Sequence, residues 1–318
     1  MNSIMARLIG ARVAVCAVSL LIVSGLVFVA TSLLPGDVTQ EILGQSATPE
    51  AVAGLRRALN LDRPAPLRYL EWLGGLLTGN PGLSLVNRLP VADLIASRLP
   101  NSLLLAGMAA AFCVPFALAL GITSAIWRGS AYDRLVNTAT VTTVSVPEFL
   151  IATVAVLIFA VHLRWLPAMS YASKIESVGQ LLRSFALPVL TLSCVVMAQM
   201  TRMTRAALLT VLDSPYIEMA VLKGARPARI VLLHALPNAV GPIANAIAFS
   251  LAYLVGGAII VEIIFSYPGI ARLMVDAVAT RDMPLVQACA MIFSAAYLVL
   301  VLIADLAGIL SNPRLRYR

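Results

Sequence analysis

The sequence predicts an all-α integral membrane protein that crosses the bilayer six times. Composition is the first reason, because 60% of the 318 residues are apolar and only 12% are charged, unlike a soluble domain. The second is that six apolar stretches meet or approach the roughly 20 residues that a helix needs to cross a bilayer. They span approximately 13–34, 103–127, 138–162, 185–201, 239–265 and 287–310.

The first and fourth stretches need separate justification. Arg7 and Arg12 precede the first stretch, as in an export signal. Its run of about 22 apolar residues is longer than the roughly 7–15 of a signal core, and no small-residue cleavage site is evident, so we predict an uncleaved helix. The fourth stretch is short and contains Pro188, but helix continued through Arg202 and Arg205 would lengthen it enough to span.

The distribution of basic residues predicts that both termini lie in the cytoplasm, because the flanks on that side carry excess Lys and Arg. With six spans, one side holds 12 of the 23 basic residues, and the other holds 11, of which six are spread through the long loop 35–102. The formal net charge of +8 does not come from one basic run, so no nucleic-acid partner is predicted.

Short elements are predicted between the spans on the outer side. Pro35 ends the first helix, and residues 47–62 predict an amphipathic helix with Thr48 as N-cap and Pro49 at its first position. The next segment, RYLEWLGGLLTG, is apolar enough to lie on the membrane surface. Residues 266–287 predict a turn followed by a short helix.

The cytoplasmic loop between the fourth and fifth spans, DSPYIEMAVLKGARPARIVLLHALPNA, begins with a predicted helix. Ser214 and Pro215 pair an N-cap residue with a proline at the first helical position, and Glu218 lies near the first turn, where its charge suits the helix dipole. Gly224 is predicted to end this helix, as a residue free to adopt positive φ does.

A second short helix is predicted from Pro227 to near Pro237, because a proline cannot continue a helix. The loop is therefore a basic helix–turn–helix, which suits docking of a soluble partner. Its expected apolar contacts are Ile217, Val221, Ile230 and Leu233.

This loop resembles the EAA motif of permease subunits of binding-protein-dependent ABC importers. In that motif Glu-Ala-Ala is followed by three residues, a Gly, nine residues and an apolar-x-Leu-Pro sequence. The matching positions are Glu218, Met219, Ala220, Gly224, Leu236 and Pro237. Met219 replaces the middle alanine, and His234 replaces the apolar residue, which is similar to the HAL-x-NA form of the peptide-transporter branch.

The rest of the chain resembles the B-type permease of dipeptide and oligopeptide importers, in the same order along nearly the whole length. The resembling segments are LLPGD (33–37), LDRP (61–64), PGLS (81–84), RLPNSLLLA (98–106), VPEF (146–149), VEIIFSYPGIARL (261–273), RDMPLVQ (281–287) and NPRLRY (312–317). Asn80 and Asn312 stand where family members usually have acids, so neither receives a role by analogy.

The resemblance implies a type I ABC importer permease fold in three parts. These are 1–97, an N-terminal helix with an extracytoplasmic segment; 98–310, a core with the coupling loop 213–237; and 311–318, a cytoplasmic tail. It implies four kinds of partner in the bacterial inner membrane and beside it: the lipid bilayer, a homologous second permease, two ABC ATPase subunits and an extracytoplasmic binding protein. The ATPase-coupling residues it implies are Ser214, Pro215, Glu218, Met219, Ala220, Gly224, Leu236 and Pro237.

The implied cargo is a di- or oligopeptide, with nickel chelate, glutathione or another small solute as alternatives within the same class. A secondary transporter is the less favoured class, because no internal inverted repeat is evident. An intramembrane enzyme would need paired catalytic groups inside the spans. We therefore predict no enzymatic activity and no catalytic, cofactor or metal residues, and the absence of a GxxxxGK[ST] sequence assigns ATP hydrolysis to a partner.

A few polar residues within the apolar stretches remain open. Glu148, Glu262 and Asp305 lie in or beside spans, where a charge is costly and by default marks function. Near span ends, however, each is more readily explained as an interfacial or paired carboxylate. The lone His162 and His234 are not expected to bind metal, and the four cysteines are expected to pack as small apolar residues.

Overall fold

The computed structural model describes residues 3–33, 39, 43, 47–58, 62–170 and 177–310. Its α-helices are α1 (Ser3–Ser32), α2 (Pro49–Ala58), α3 (Ala65–Leu77), α4 (Val91–Ile126), α5 (Ala131–Ser145), α6 (Glu148–Ala155), α7 (Val178–Leu212), α8 (Pro215–Leu222), α9 (Leu236–Ile264), α10 (Ile270–Ala279) and α11 (Met283–Leu310). Most of the LLPGD segment, Leu61, the NPRLRY segment and the predicted tail 311–318 lie outside the described residues.

Five helical segments of the described chain are long and apolar enough to cross a membrane, and they correspond to α1, α4, α7, α9 and α11. The pair α5 and α6, with the π-helical turns Val156–His162 that continue it, makes a sixth candidate if it is counted as one span. The count of six predicted from the apolar stretches is thus reached only through a broken span.

The span predicted over 138–162 is not one continuous helix, because the chain bends by 96° between α5 and α6. Val146 adopts an extended conformation with φ −93° and ψ 127°, and Pro147 follows at φ −58°. A proline ring clashes with a helical conformation of the preceding residue, which pushes Val146 out of the helix. The broken span therefore has a local cause in the sequence.

The helix predicted to end near Pro237 does not end there. A helical turn at Pro227–Arg229 continues through π-helical turns at Ile230–Ala235 directly into α9. Pro237 lies at the start of α9, where a missing backbone N–H costs little, and the wider π turn before it shifts the hydrogen bonds by one residue. The second helix of the loop and the fifth span are consequently one structure.

One compact unit contains the described residues of Met1–Cys16, Leu103–Tyr267 and Ala296–Arg318. Within it α7 runs for 35 residues, which confirms its predicted continuation through Arg202 and Arg205. A buried cluster around Leu105, Phe185 and Tyr267 forms one part of its core. A second cluster lies under the loop 213–237 and is described below.

The other compact unit contains the described residues of Ala17–Ser102 and Pro268–Ala295. The predicted short helices are confirmed as α2 and α10, and Thr48 accepts a hydrogen bond from the Ala51 amide as an N-cap does. The apolar segment RYLEWLGGLLTG, for which the sequence predicted no secondary structure, lies in α3 and the turn that follows it. The PGLS and RDMPLVQ segments meet here, because Asp282 accepts hydrogen bonds from the Ser84 hydroxyl and the Leu85 amide. Asp282 is 2% exposed.

Candidate functional site

The loop between α7 and α9 begins with the short helix α8. Ser214 occupies the N-cap position in an extended conformation, and Pro215 is the first helical residue, as predicted. The Ser214 side chain does not cap α8, however, because its hydroxyl donates back to the carbonyl of Val211 in α7. Its backbone carbonyl instead accepts from the amides of Ile217 and Glu218, which starts the helix.

Gly224 ends α8 in the left-handed conformation, with φ +76°, as the sequence predicts. The Gly224 amide donates to the Val221 carbonyl at 2.8 Å and the Ala225 amide to the Ala220 carbonyl at 3.2 Å. These two bonds define a Schellman motif, which satisfies the last carbonyls of the helix. A Cβ atom at Gly224 would meet no neighbour within 4 Å, so only the backbone conformation restricts this position.

One face of the loop is buried against the helical bundle. Ile217 of α8 is 3% exposed and packs in a cluster with Ala125 at the end of α4 and Leu208 near the end of α7. The same cluster contains Ile230, Val231 and Ala235 from the turns before α9, with Ala220 and Leu236 partly buried at its edge. The predicted contacts of Ile217 and Ile230 are confirmed, whereas Val221 and Leu233 are exposed.

The opposite face of α8 exposes apolar side chains. Tyr216, Met219 and Leu222 follow at helical spacing of three residues, which places them on one stripe. Their exposed fractions are 46%, 56% and 74%. Three exposed basic residues, Lys223, Arg226 and Arg229, follow this stripe along the chain. Met219, which replaces a motif alanine, therefore lies on the exposed face and not in a close contact.

The remaining motif residues lie on both sides of the turn. Glu218 is exposed in the first turn of α8, and Pro237 is exposed in the first turn of α9. The two sides are joined by a hydrogen bond from the Tyr216 hydroxyl to the His234 carbonyl at 3.4 Å. The same carbonyl accepts a second hydrogen bond from the Asn238 side-chain amide at 2.9 Å. The eight predicted site residues thus belong to one small structural element.

A buried ion pair beside this element was not predicted from the sequence. The Asp133 carboxylate at the start of α5 accepts two hydrogen bonds from the Arg205 guanidinium in α7, from Nε at 2.7 Å and from Nη2 at 2.8 Å. From the sequence, Arg205 indicates only that the fourth apolar stretch continues as a helix beyond its apolar residues. A base one to two turns beyond an apolar stretch was the available signal, but the pattern does not reveal its partner 72 residues away.

The three acids inside or beside spans have different environments. Asp305 of α11 pairs with Arg12 of α1 at 3.0 Å, which agrees with the expectation of a paired carboxylate. Glu148 lies in the first turn of α6 at the bend and is 8% exposed, and its Oε1 atom has no hydrogen-bond partner among the described residues. Glu262 of α9 is fully buried.

The apolar helices of the described residues define a multi-pass membrane protein. The chain matches the family model described as "Binding-protein-dependent transport system inner membrane component" over residues 117–317. It also matches the corresponding N-terminal model of a binding-protein-dependent transport system membrane component over residues 5–106. The chain therefore belongs to the family of binding-protein-dependent inner-membrane permeases.

Individual relatives cover the chain almost completely. The "Probable peptide ABC transporter permease protein y4tP" of Sinorhizobium fredii is 36% identical over 92% of this chain and 93% of its own length. The "Glutathione transport system permease protein GsiC" of Escherichia coli K12 is 37% identical over 94% and 95%. A solved inward-facing structure of the MetNI methionine ABC transporter covers 70% of this chain and 95% of its own, at 18% identity and a TM-score of 0.48.

Family membership confirms the predicted fold class, an all-α integral membrane permease of the type I ABC importer kind. It also confirms the prediction that the chain is not itself an enzyme, since the family consists of transport subunits. The location in the inner membrane as a multi-pass protein follows from the family and from the apolar helices.

Proposed function

We propose that this permease imports di- or oligopeptides and that residues 214–237 form the surface to which its ATPase docks. The observation that carries the docking proposal is the division of this loop into two faces. Ile217 holds α8 to the bundle, while Tyr216, Met219 and Leu222 are exposed on its other side. Large apolar side chains projecting from an anchored helix suit a hydrophobic groove in a partner.

The exposed stripe has the composition of an interaction core with a charged border. Aromatic residues and Met are enriched at the centres of interfaces, whereas Lys is depleted there and common at the rim. Lys223, Arg226 and Arg229 supply such a rim with positive charge. We therefore expect the docking cleft of the ATPase to be apolar at its base and acidic along one edge.

The orientation and the partners follow from this assignment. Both termini and the loop lie in the cytoplasm, and the segments preceding α4 and following α9 lie outside. The chain pairs with a homologous permease, and the importer contains two ABC ATPase subunits and an extracytoplasmic binding protein. The proposed parts are 1–97, 98–310 and 311–318. ATP drives transport only if the contacts between the loop and the ATPase differ between the two conformations of the importer. A nucleotide shifts a conformational equilibrium only through its different affinity for the two states.

The names of the relatives support two cargo classes. One relative is named as a peptide permease and another as a glutathione permease. Both solutes are small, contain amide bonds and carry free carboxylate and ammonium groups, so one translocation path suits either. Peptides are our first candidate because most of the sequence segments discussed above resemble the peptide branch, and glutathione is the second.

Co-purification and uptake test these proposals separately. A tagged copy of the chain, expressed with its neighbouring genes, is expected to recover an ABC ATPase from detergent extracts. Cysteine labelling is expected to reach positions 40–98 from outside and 214–237 from inside. Recovery without an ATPase, or labelling of both segments from one face, would contradict the docking proposal.

Uptake of labelled dipeptide, tetrapeptide and glutathione by cells with and without the chain identifies the cargo.

A further inference from the structure

The Asp133 carboxylate, in the first turn of α5, is fully satisfied by hydrogen bonds. Its Oδ1 atom accepts from the Ser124 hydroxyl, from Arg205 Nε at 2.7 Å and from Asn137 Nδ2 at 2.9 Å. Its Oδ2 atom accepts from Arg205 Nη2 at 2.8 Å and from the Gly129 amide at 2.9 Å. Asp133 is 3% exposed, so these bonds replace essentially all of its hydration.

These bonds connect three helices at one point. Ser124 belongs to the end of α4, Asp133 to the first turn of α5 and Arg205 to α7. One turn before Ser124, α4 and α7 also touch directly: a Cβ atom at Gly121 would lie 2.8 Å from Thr204 Cβ and 2.9 Å from the Thr201 carbonyl. The close contact and the ion pair together form a joint that leaves little room for α4 and α7 to slide.

This joint of α4, α5 and α7 lies next to the loop 213–237, to which we propose that the ATPase docks. Ile217 of α8 packs in the same cluster as Ala125, which follows Ser124, and Leu208, which lies three residues after Arg205. The first helix of the loop therefore rests on the two helices that the ion pair holds together. A shift between α4 and α7 would change the surface on which Ile217 sits.

We propose that Asp133 and Arg205 are positioning residues for energy coupling: their pair makes α4, α5, α7 and α8 move as one body when the ATPase moves the loop. The proposal rests on the docking function proposed above. A buried ion pair is a weak source of stability compared with apolar packing, but its two-pronged geometry defines one relative arrangement of the helices. Accurate transmission of movement requires such a defined arrangement.

A second ion pair provides a matched control. Arg128 donates to Asp213 at 3.0 Å and so joins the same α4–α5 turn to the end of the same helix α7. Its side chains are 56% and 65% exposed, against 21% and 4% for Arg205 and Asp133. An exposed pair contributes little and does not fix geometry. Arg128→Ala is therefore expected to behave like the wild type in both experiments below.

Hydrogen–deuterium exchange of the purified importer tests the positioning claim. Asp133→Asn and Arg205→Lys are expected to increase exchange in the first turn of α5 and in 215–222, at least tenfold for Asp133→Asn. Because a single change leaves a buried charge unpaired and can prevent folding, the double variant Asp133→Asn/Arg205→Gln removes both charges. Unchanged protection of α8 in that folded double variant overturns the proposal.

The ratio of transport to ATP hydrolysis tests the coupling claim. In proteoliposomes that contain the binding protein and the cargo identified by uptake, the double variant is expected to retain the ATPase subunits and to hydrolyse ATP. Transported cargo per ATP is expected to fall at least fivefold in the double variant. The conservative variant Asp133→Glu, which keeps Arg205, is expected to retain part of this ratio. A purely structural role would lower the amount of complex while leaving this ratio unchanged, and that result contradicts the proposal. If variants of the exposed face of α8 lose the ATPase and the double variant does not, the docking proposal holds independently of the coupling proposal.

Discussion

The two faces of the loop 213–237 have the same apolar character but opposite environments. Ile217 and Ile230 are 3% and 6% exposed, whereas Leu222 and Leu233 are 74% and 61% exposed. The inward residues exclude water against α4 and α7, which accounts for the position of the loop. The outward residues make no comparable contribution within this chain, so their apolar surface is available for a partner. The following predictions test that division, from the largest expected effect to the smallest.

Ile217→Ala removes the main inward anchor of α8. A buried isoleucine that is cut back to alanine costs about 2–5 kcal/mol, through lost transfer free energy and the cavity that remains. We expect α8 to lose hydrogen-exchange protection and the ATPase to be lost from the purified complex. Ile217→Val, which removes one methylene, is the control and should retain most of both. Normal α8 protection in Ile217→Ala would show that the anchor lies elsewhere.

Met219→Ser/Leu222→Ser removes the outward apolar stripe without touching the core. Surface substitutions change the free energy of unfolding by only about 0.5 kcal/mol, but interface centres contribute about 1–2 kcal/mol or more per large side chain. ATPase affinity is therefore expected to fall roughly tenfold or more, measured by titrating purified ATPase onto the permease pair. Leu77→Ser, at an 82% exposed position of α3, is the matched control. Equal affinity in the two variants would remove the docking assignment.

Gly224→Val strains the turn that connects the two faces. A β-branched residue at φ +76° costs about 1–3 kcal/mol, and no steric clash adds to it because the Cβ position is open. We expect membrane insertion to be unaffected while ATPase association and transport fall together. Gly224→Asn is the control, since asparagine tolerates this conformation better. If Asn and Val reduce association equally, side-chain bulk at the interface and not backbone conformation is responsible.

Glu218→Lys is expected to have the smallest effect. Glu218 is exposed in the first turn of α8, where its charge interacts favourably with the helix dipole by about 0.3–1 kcal/mol. Charge reversal should weaken ATPase association by a few-fold at low salt, and salt should reduce the difference between variant and wild type. A salt-independent loss of more than tenfold would instead indicate a direct contact between Glu218 and the ATPase.

The sequence by itself determined the features that depend on local composition and backbone chemistry. Apolar length was sufficient to identify the membrane helices, and α7 had to extend to be long enough. Gly224 could be placed at positive φ because the chain must reverse there. The bend between α5 and α6 was not predicted, but it also has a local cause, because Pro147 pushes Val146 into an extended conformation. In each case the cause lies within a few residues of the effect.

Only the tertiary structure decided which apolar residues of the loop face inward and which hydrogen bonds pass from one helix to another. Ile217 and Val221 are equally apolar in sequence, but only Ile217 meets the space between Ala125 and Leu208. Pro237 continues into α9 because π-helical turns precede it, which no local rule about proline predicted. Asp133 and Arg205 find each other across 72 residues because helix packing, and not spacing, brings their charges together out of water.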